Sequence, residues 1–178
     1  LAGGHNDKAL EMARRAVQQF PDSEKCVATF ENIQRMRLQR EIVELNQAIR
    51  RSPTRDHYEK LATIYLQDLG NRNKSYELAL EGLNKFPQSE GLHLICGQVR
   101  MDRFHSEYLA NDFTEAVRHF ERAAEISPNA SKPLVALARM HAEVGVLDRA
   151  KEFLGRASQA GGLDSQGDRL LRLVDPKA

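Results

Sequence analysis

The sequence predicts an all-α fold in which antiparallel helix-pair repeats stack side by side into an α-solenoid. Three observations predict it. Segments of helical apolar spacing alternate with short breaks, and a proline-centred phrase returns at near-regular intervals. Small residues also recur at fixed spacing on the helix that closes each pair.

The proline phrase is a helix ending in an aromatic or aliphatic residue, then Phe-Pro or Ser-Pro, then polar residues. It occurs at Phe20-Pro21-Asp22-Ser23, Ser52-Pro53-Thr54, Phe86-Pro87-Gln88-Ser89 and Ser127-Pro128-Asn129. Proline has no amide hydrogen and clashes with the preceding turn, so it ends one helix while the polar residue caps the next. Pro21, Pro53, Pro87 and Pro128 are separated by 32, 34 and 41 residues, and a period of about 34 marks helix–turn–helix repeats. Between these prolines, Leu69-Gly70-Asn71, Ala110-Asn111-Asp112 and Val144-Gly145-Val146 interrupt the apolar pattern with residues that tolerate a left-handed terminus. The following helices carry Ala116, Phe120, Ala123 and Ala150, Leu154, Ala157. Steps of four and three keep each trio on one face, where alanines admit a close neighbour and the bulky residue fills the gap.

Taken in order, residues 1–162 are expected to form one repeat array. Leu1 to Ser23, with Ala9, Ala13 and Ala16, reads as the second half of a truncated first unit. Glu24 to Thr54 is an atypical repeat without Gly or Pro between Cys26 and Arg51, and a tight hairpin near Met36 to Gln39 is expected over a single long helix. Asp56 to Ser89 is a regular unit. Glu90 to Ala130 is seven residues longer than a 34-residue repeat, so its first helix is expected to be elongated and to project. Ser131 to Gly162 is regular again. Residues 163–178 are expected to be a capping helix started by Asp164 or Ser165 and ended before Pro176, or the start of a linker.

These spacings resemble the tetratricopeptide repeat (TPR) family, in which a small, a bulky, a small residue and a proline recur on the second helix of each pair. The resemblance implies a right-handed α-solenoid whose first helices line a concave groove. The large aromatic of the family's first helix is replaced by Glu59, His93 and Leu134.

Composition fits this reading. The 178 residues can bury about 70% of their unfolded surface, and 41% hydrophobic with 29% charged residues excludes a disordered chain. With 26 basic and 25 acidic residues, the net charge of +1 gives no global reason to expect nucleic acid or an anionic membrane as partner. No apolar run approaches the ~18 residues of a membrane span, and no signal-peptide pattern opens the chain. Cys26 and Cys96 are read as reduced, buried thiols, which favours the cytoplasm.

No catalytic constellation, phosphate loop, metal-ligand spacing or cofactor motif is present, so neither an enzyme nor a cofactor is expected. His5, His57, His93, His105, His119 and His141 are spread singly and read as structural or surface residues; Gly3-Gly4 reads as a linker. Charge is uneven, with +3 over Glu24–Arg55 and −3 over Glu107–Glu125.

The resemblance implies a protein–protein interaction scaffold that binds a peptide or helix in the groove. The candidates on the first helices are His57, Lys60, Ile64 and Gln67, then Leu94, Gln98 and Met101, then Val135 and Arg139. Apolar members would desolvate a partner while Lys60, Gln98 and Arg139 fix its backbone or carboxylates. Some family members clamp a terminal carboxylate with Lys and Asn, but the asparagines are missing here. The alternative is a structural, self-associating module or the connecting arm of a larger assembly.

Overall fold

The structure, a computed structural model, describes residues 3–175 and is helical almost throughout. The end of the last expected helix at Pro176, and the side chain of His5, lie outside the described residues. By its contacts the chain divides into two compact units, Leu1–Pro53 and Thr54–Ala178.

The first unit is a pair of helices, α1 (Gly3–Gln19) and α2 (Glu24–Arg51). Gly3 and Gly4 open α1 and form no linker. Pro21 follows the end of α1, and Ser23 Oγ accepts from the Cys26 amide at 3.4 Å to start α2. The expected hairpin at Met36 to Gln39 is absent, because α2 runs unbroken for 28 residues. With no Gly or Pro to relieve a tight turn, extending the helix is cheaper than breaking and renucleating it. The half-buried residues of α2 form two stripes, Cys26, Val27, Phe30 and Ile33, then Leu38, Ile42 and Ile49 with buried Leu45, the second flanked by half-buried Asn46 and Ala48. At 100° per residue, the second stripe is turned by about 100° from the first.

The second unit holds three helix pairs and a final helix. They are α3 (Arg55–Thr63) with α4 (Arg72–Lys85), α5 (Glu90–Glu107) with α6 (Ala110–Ile126), α7 (Ser131–Glu143) with α8 (Leu147–Ala160), and α9 (Ser165–Val174). Beyond Thr63, α3 continues as a π turn over Ile64–Asp68, where the Leu69 amide donates to the Ile64 carbonyl at 3.1 Å. Thr54 and Ser89 cap α3 and α5 through their side chains, as the proline phrases predict, and Asn71, in the Leu69-Gly70-Asn71 break, caps α4. Ala130 has no side-chain oxygen, so α7 starts without such a cap. Asp164 accepts from the amides of Gln166 and Gly167, and α9 packs on α7 and α8.

The turn of the long pair falls earlier than expected. Tyr108, not Asn111, ends α5 in the left-handed region at φ 55°, and Asn111 lies inside α6. The surplus is shared by both helices: α5 has 18 residues against 13 in α7, and α6 has 17 against 14 in α8. The end of α5 does not overhang freely. Phe104 packs edge-on to Phe113 at 5.5 Å, and His105 pairs with Glu143 at the end of α7.

The expected trios form the core. Ala116, Phe120, Ala123, Ala150, Leu154 and Ala157 are all at most 1% exposed. A Cβ on Gly97 of α5 would meet Phe120 Cε1 at 2.5 Å, so only glycine allows this approach. A buried polar knot ties the same region to α4. Arg100 Nη1 donates to Asp112 Oδ1 at 2.6 Å, Arg100 Nη2 donates to the Tyr76 hydroxyl at 2.9 Å, and the guanidinium lies over the Tyr76 ring. The Asp112 side chain is only 2% exposed.

Two stability predictions result. Gly97→Ala gains helix propensity of about 1 kcal/mol but overpacks an aromatic ring, for a net loss of about 1–3 kcal/mol in urea unfolding. Asp112→Ala strands a largely buried guanidinium and lowers the unfolding free energy by about 3–5 kcal/mol; adding Arg100→Met recovers most of it.

Candidate cleft between the first helices

Within the second unit, one cleft of about 300 Å3 is lined by the π turn, α5, α7 and the approach to α9. Its apolar surface comes from Leu66, Leu94, Ile95, Phe120, Val135 and Ala136. Its polar rim is Gln67, Gln98, Lys132, Arg139, Asp164 and Gln166. The first helices project these residues because their opposite faces are committed to Leu61, Leu92, Leu134 and Leu137 in the core.

Five of the nine predicted groove residues meet here: Gln67, Leu94, Gln98, Val135 and Arg139. Val135 is 7% exposed and contributes floor rather than rim. Gln98 Nε2 donates to Asp102 Oδ1 at 2.7 Å, and Arg72 Nε holds the other oxygen of Asp102 at 3.1 Å. That chain fixes the Gln98 amide plane. Arg118, Arg122 and Arg149 on the second helices pair with glutamates three residues away. Neither Lys132 nor Arg139 forms an ion pair among the described residues.

The other four predicted residues stand elsewhere. Ile64 and Met101 are buried core residues, and neither lines the cleft. Met101 is covered because the longer α5–α6 pair and α7 close over the turn beyond Gln98, in the cluster with Ala116, Leu134 and Met140. His57 is half-buried with Nδ1 unpartnered, Lys60 is exposed, and neither lines the cleft. Sequence reasoning missed Leu66, Ile95, Phe120 and Ala136 of the apolar surface and Lys132, Asp164 and Gln166 of the rim. Asp164 and Gln166 enter because α9 stands beside α7, as the first helix of a further pair would.

A larger hollow of about 390 Å3 lies among Leu83, Pro87, His93, His119, Arg118 and Arg122. Glu121 and Glu125 also line it, and its arginines are committed to Glu115 and Glu125, so it presents no free cation of the kind found in the cleft. It contains His93 and His119, 26 residues apart in sequence and 3.0 Å apart between their Nδ1 atoms. His141 is a packing residue, stacked on Phe153 at 5.5 Å. Burial pushes the Cys96 thiol up to about 12, which makes it inert, while Cys26 is half-buried. The acidic run 107–125 is largely neutralised locally, with Glu107, Asp112, Glu115 and Glu125 all paired to arginines. No group of three metal-ligating side chains converges among the described residues, and none of the described helices is long and apolar enough to cross a membrane.

Comparison with known proteins places the fold. A family model described as tetratricopeptide repeat matches residues 108–174. The structure is similar to that of MamA, with TM-score 0.64 at 15% identity over 82% of this chain and 81% of the other. It is also similar to a thermophilic TPR protein in Thermus thermophilus, with TM-score 0.60 at 18% identity over 97% and 92% of the two chains. A third is the first TPR of Spaghetti bound to an HSP90 peptide, with TM-score 0.59 at 14% identity over 70% and 93%. No curated protein sequence matched. The resemblance is therefore borne out as far as these comparisons reach: residues 108–174, which hold Ala116, Phe120 and Ala123, match the tetratricopeptide repeat model, and the fold is that of TPR proteins.

Proposed function

We propose that the chain is a non-catalytic interaction scaffold and that the cleft between the π turn, α5, α7 and α9 holds an acidic, amphipathic segment of a partner protein. One observation carries this reading. Five residues chosen as partner-facing from sequence converge on one concavity, which joins an apolar floor to two cations without acidic partners. Leu94, Ile95 and Ala136 would desolvate one or two apolar side chains, a load suited to a hollow of about 300 Å3. Lys132 and Arg139 would receive carboxylates, and the Gln98 amide held by Asp102 would pair with backbone. Support of a general kind comes from the similar Spaghetti repeat, which is bound to a peptide. The mixed charge and the absence of Trp favour protein over nucleic acid as the partner.

The test is a peptide library panned on the intact chain, followed by calorimetry of the selected peptides at pH 7. Selected sequences are expected to combine Asp or Glu with Leu, Ile or Phe. Arg139→Glu should weaken them by about tenfold or more, with Lys60→Glu as a neutral control. Equal binding by the Arg139 variant would remove the cleft from the mechanism. Concentration-dependent association in sedimentation, lost in the same variant, would favour the self-associating alternative.

A further inference from the structure

We propose that His93 and His119 form an acid-sensitive latch, which holds α5 against α6 while both rings are neutral and releases the pair on protonation. The geometry assigns the protons. His93 Nε2 lies 3.3 Å from the Pro87 carbonyl and can only donate to it, which leaves His93 Nδ1 as an acceptor. His119 Nδ1 therefore donates across the 3.0 Å contact, and His119 Nε2 is a bare acceptor, buried and unpartnered. A proton added to His93 Nδ1 would face the N–H of His119. A proton added to His119 Nε2 would create an imidazolium on a residue only 3% exposed.

The surroundings offer that charge little compensation. Arg100 from α5 and Arg118 from α6 oppose it, and Arg118 and Arg122 oppose charge on His93. Glu115, the carboxylate that favours it, is already bonded to Arg118. Of the two α6 carboxylates that line the hollow, Glu125 is bonded to Arg122 and Glu121 stands beside both rings' opening. On the α4 side, Leu83 and Pro87 line the hollow and bring no ionisable group. Burial first, then Arg118, brings His119 down to about 4 from its ordinary 6.5, and burial with Arg122 and Arg118 also lowers His93. The closed pair thus binds fewer protons than the open one. Closure is at full strength above the ordinary histidine range and weakens as pH falls from 6.5 toward about 4, by about tenfold per pH unit for each proton taken up.

Leu94, Ile95 and Gln98 stand on the same helix, so opening would also remove one wall of the cleft. This consequence, acid-triggered release of the partner, rests on the function proposed for the cleft. The latch itself does not.

Cys96 reports the opening, because it is 0% exposed and lies one turn beyond His93 on α5. The full chain would be labelled with 4,4′-dithiodipyridine between pH 7.5 and 4.5, with Cys26 of the other unit as internal reference. The Cys96-to-Cys26 rate ratio is expected to rise at least about tenfold between pH 6.5 and 4.5, and His119→Gln should abolish the rise. Should that variant fail to fold, long-range proton–nitrogen spectra of the wild-type rings decide. They should show His119 neutral with Nδ1 protonated at pH 6.5, gaining charge only as Cys96 becomes reactive. A flat ratio down to pH 4.5, an equal rise in a folded His119→Gln, or a His119 that protonates while Cys96 stays protected would each overturn the latch. Peptide retention after Cys96 opens would leave the latch standing and count against the cleft.

Discussion

The contact between Gly97 and Phe120 sets the terms for the second unit. Phe120 occupies the space that any side chain at position 97 would need, so α5 and α6 meet at a separation only this pairing allows. Ala116 and Ala123, one turn to either side, extend the same close approach along α6. The rest of the unit is arranged around that seam. The Arg100–Asp112–Tyr76 knot sits beyond one end of it, and the paired histidines lie along it. The face of α5 turned away from the core gives Leu94 and Gln98 to the cleft. A helix pair cannot bury its apolar faces alone, so α7 and α8 repeat the solution with Ala150, Leu154 and Ala157.

Much of this was legible because it rests on local chemistry. Proline punctuation followed by Ser23, Thr54 and Ser89 located three helix starts, and the small–bulky–small trios located the seams. What escaped depended on geometry that one sequence window does not carry. Asn111 looked like the turn of the long pair by residue preference, yet the backbone turns at Tyr108, a bulky residue in a conformation that favours glycine or asparagine. Residues 24–54 looked like a repeat by their spacing to the next proline, but the lack of any breaker mattered more than the spacing.

The cleft shows the same division. Gln67, Leu94, Gln98, Val135 and Arg139 were legible because steps of three and four along a first helix select one face. Met101 obeyed that periodicity and still became core, since helix phase says which way a residue points and not what stands opposite it. The seven surplus residues of the long repeat were the available clue: a longer pair covers more of its own first helix. Asp164 and Gln166 depend on where α9 docks, Lys132 lies on the first turn of α7 one face-repeat before Val135 and Arg139, and the His93–His119 contact depends on two helices in register.

The unbroken α2 carries a different kind of consequence. Its two stripes differ in heading by about 100°, the rotation contributed by one residue of helix. Deleting or inserting a single residue around Arg37 would swing one stripe a quarter-turn or more against the other, whereas the same change in the Pro21–Asp22 turn leaves both headings intact. Natural variants of this chain should therefore tolerate length changes at that turn and conserve the residue count from Cys26 to Ile49, even where the side chains between the stripes drift.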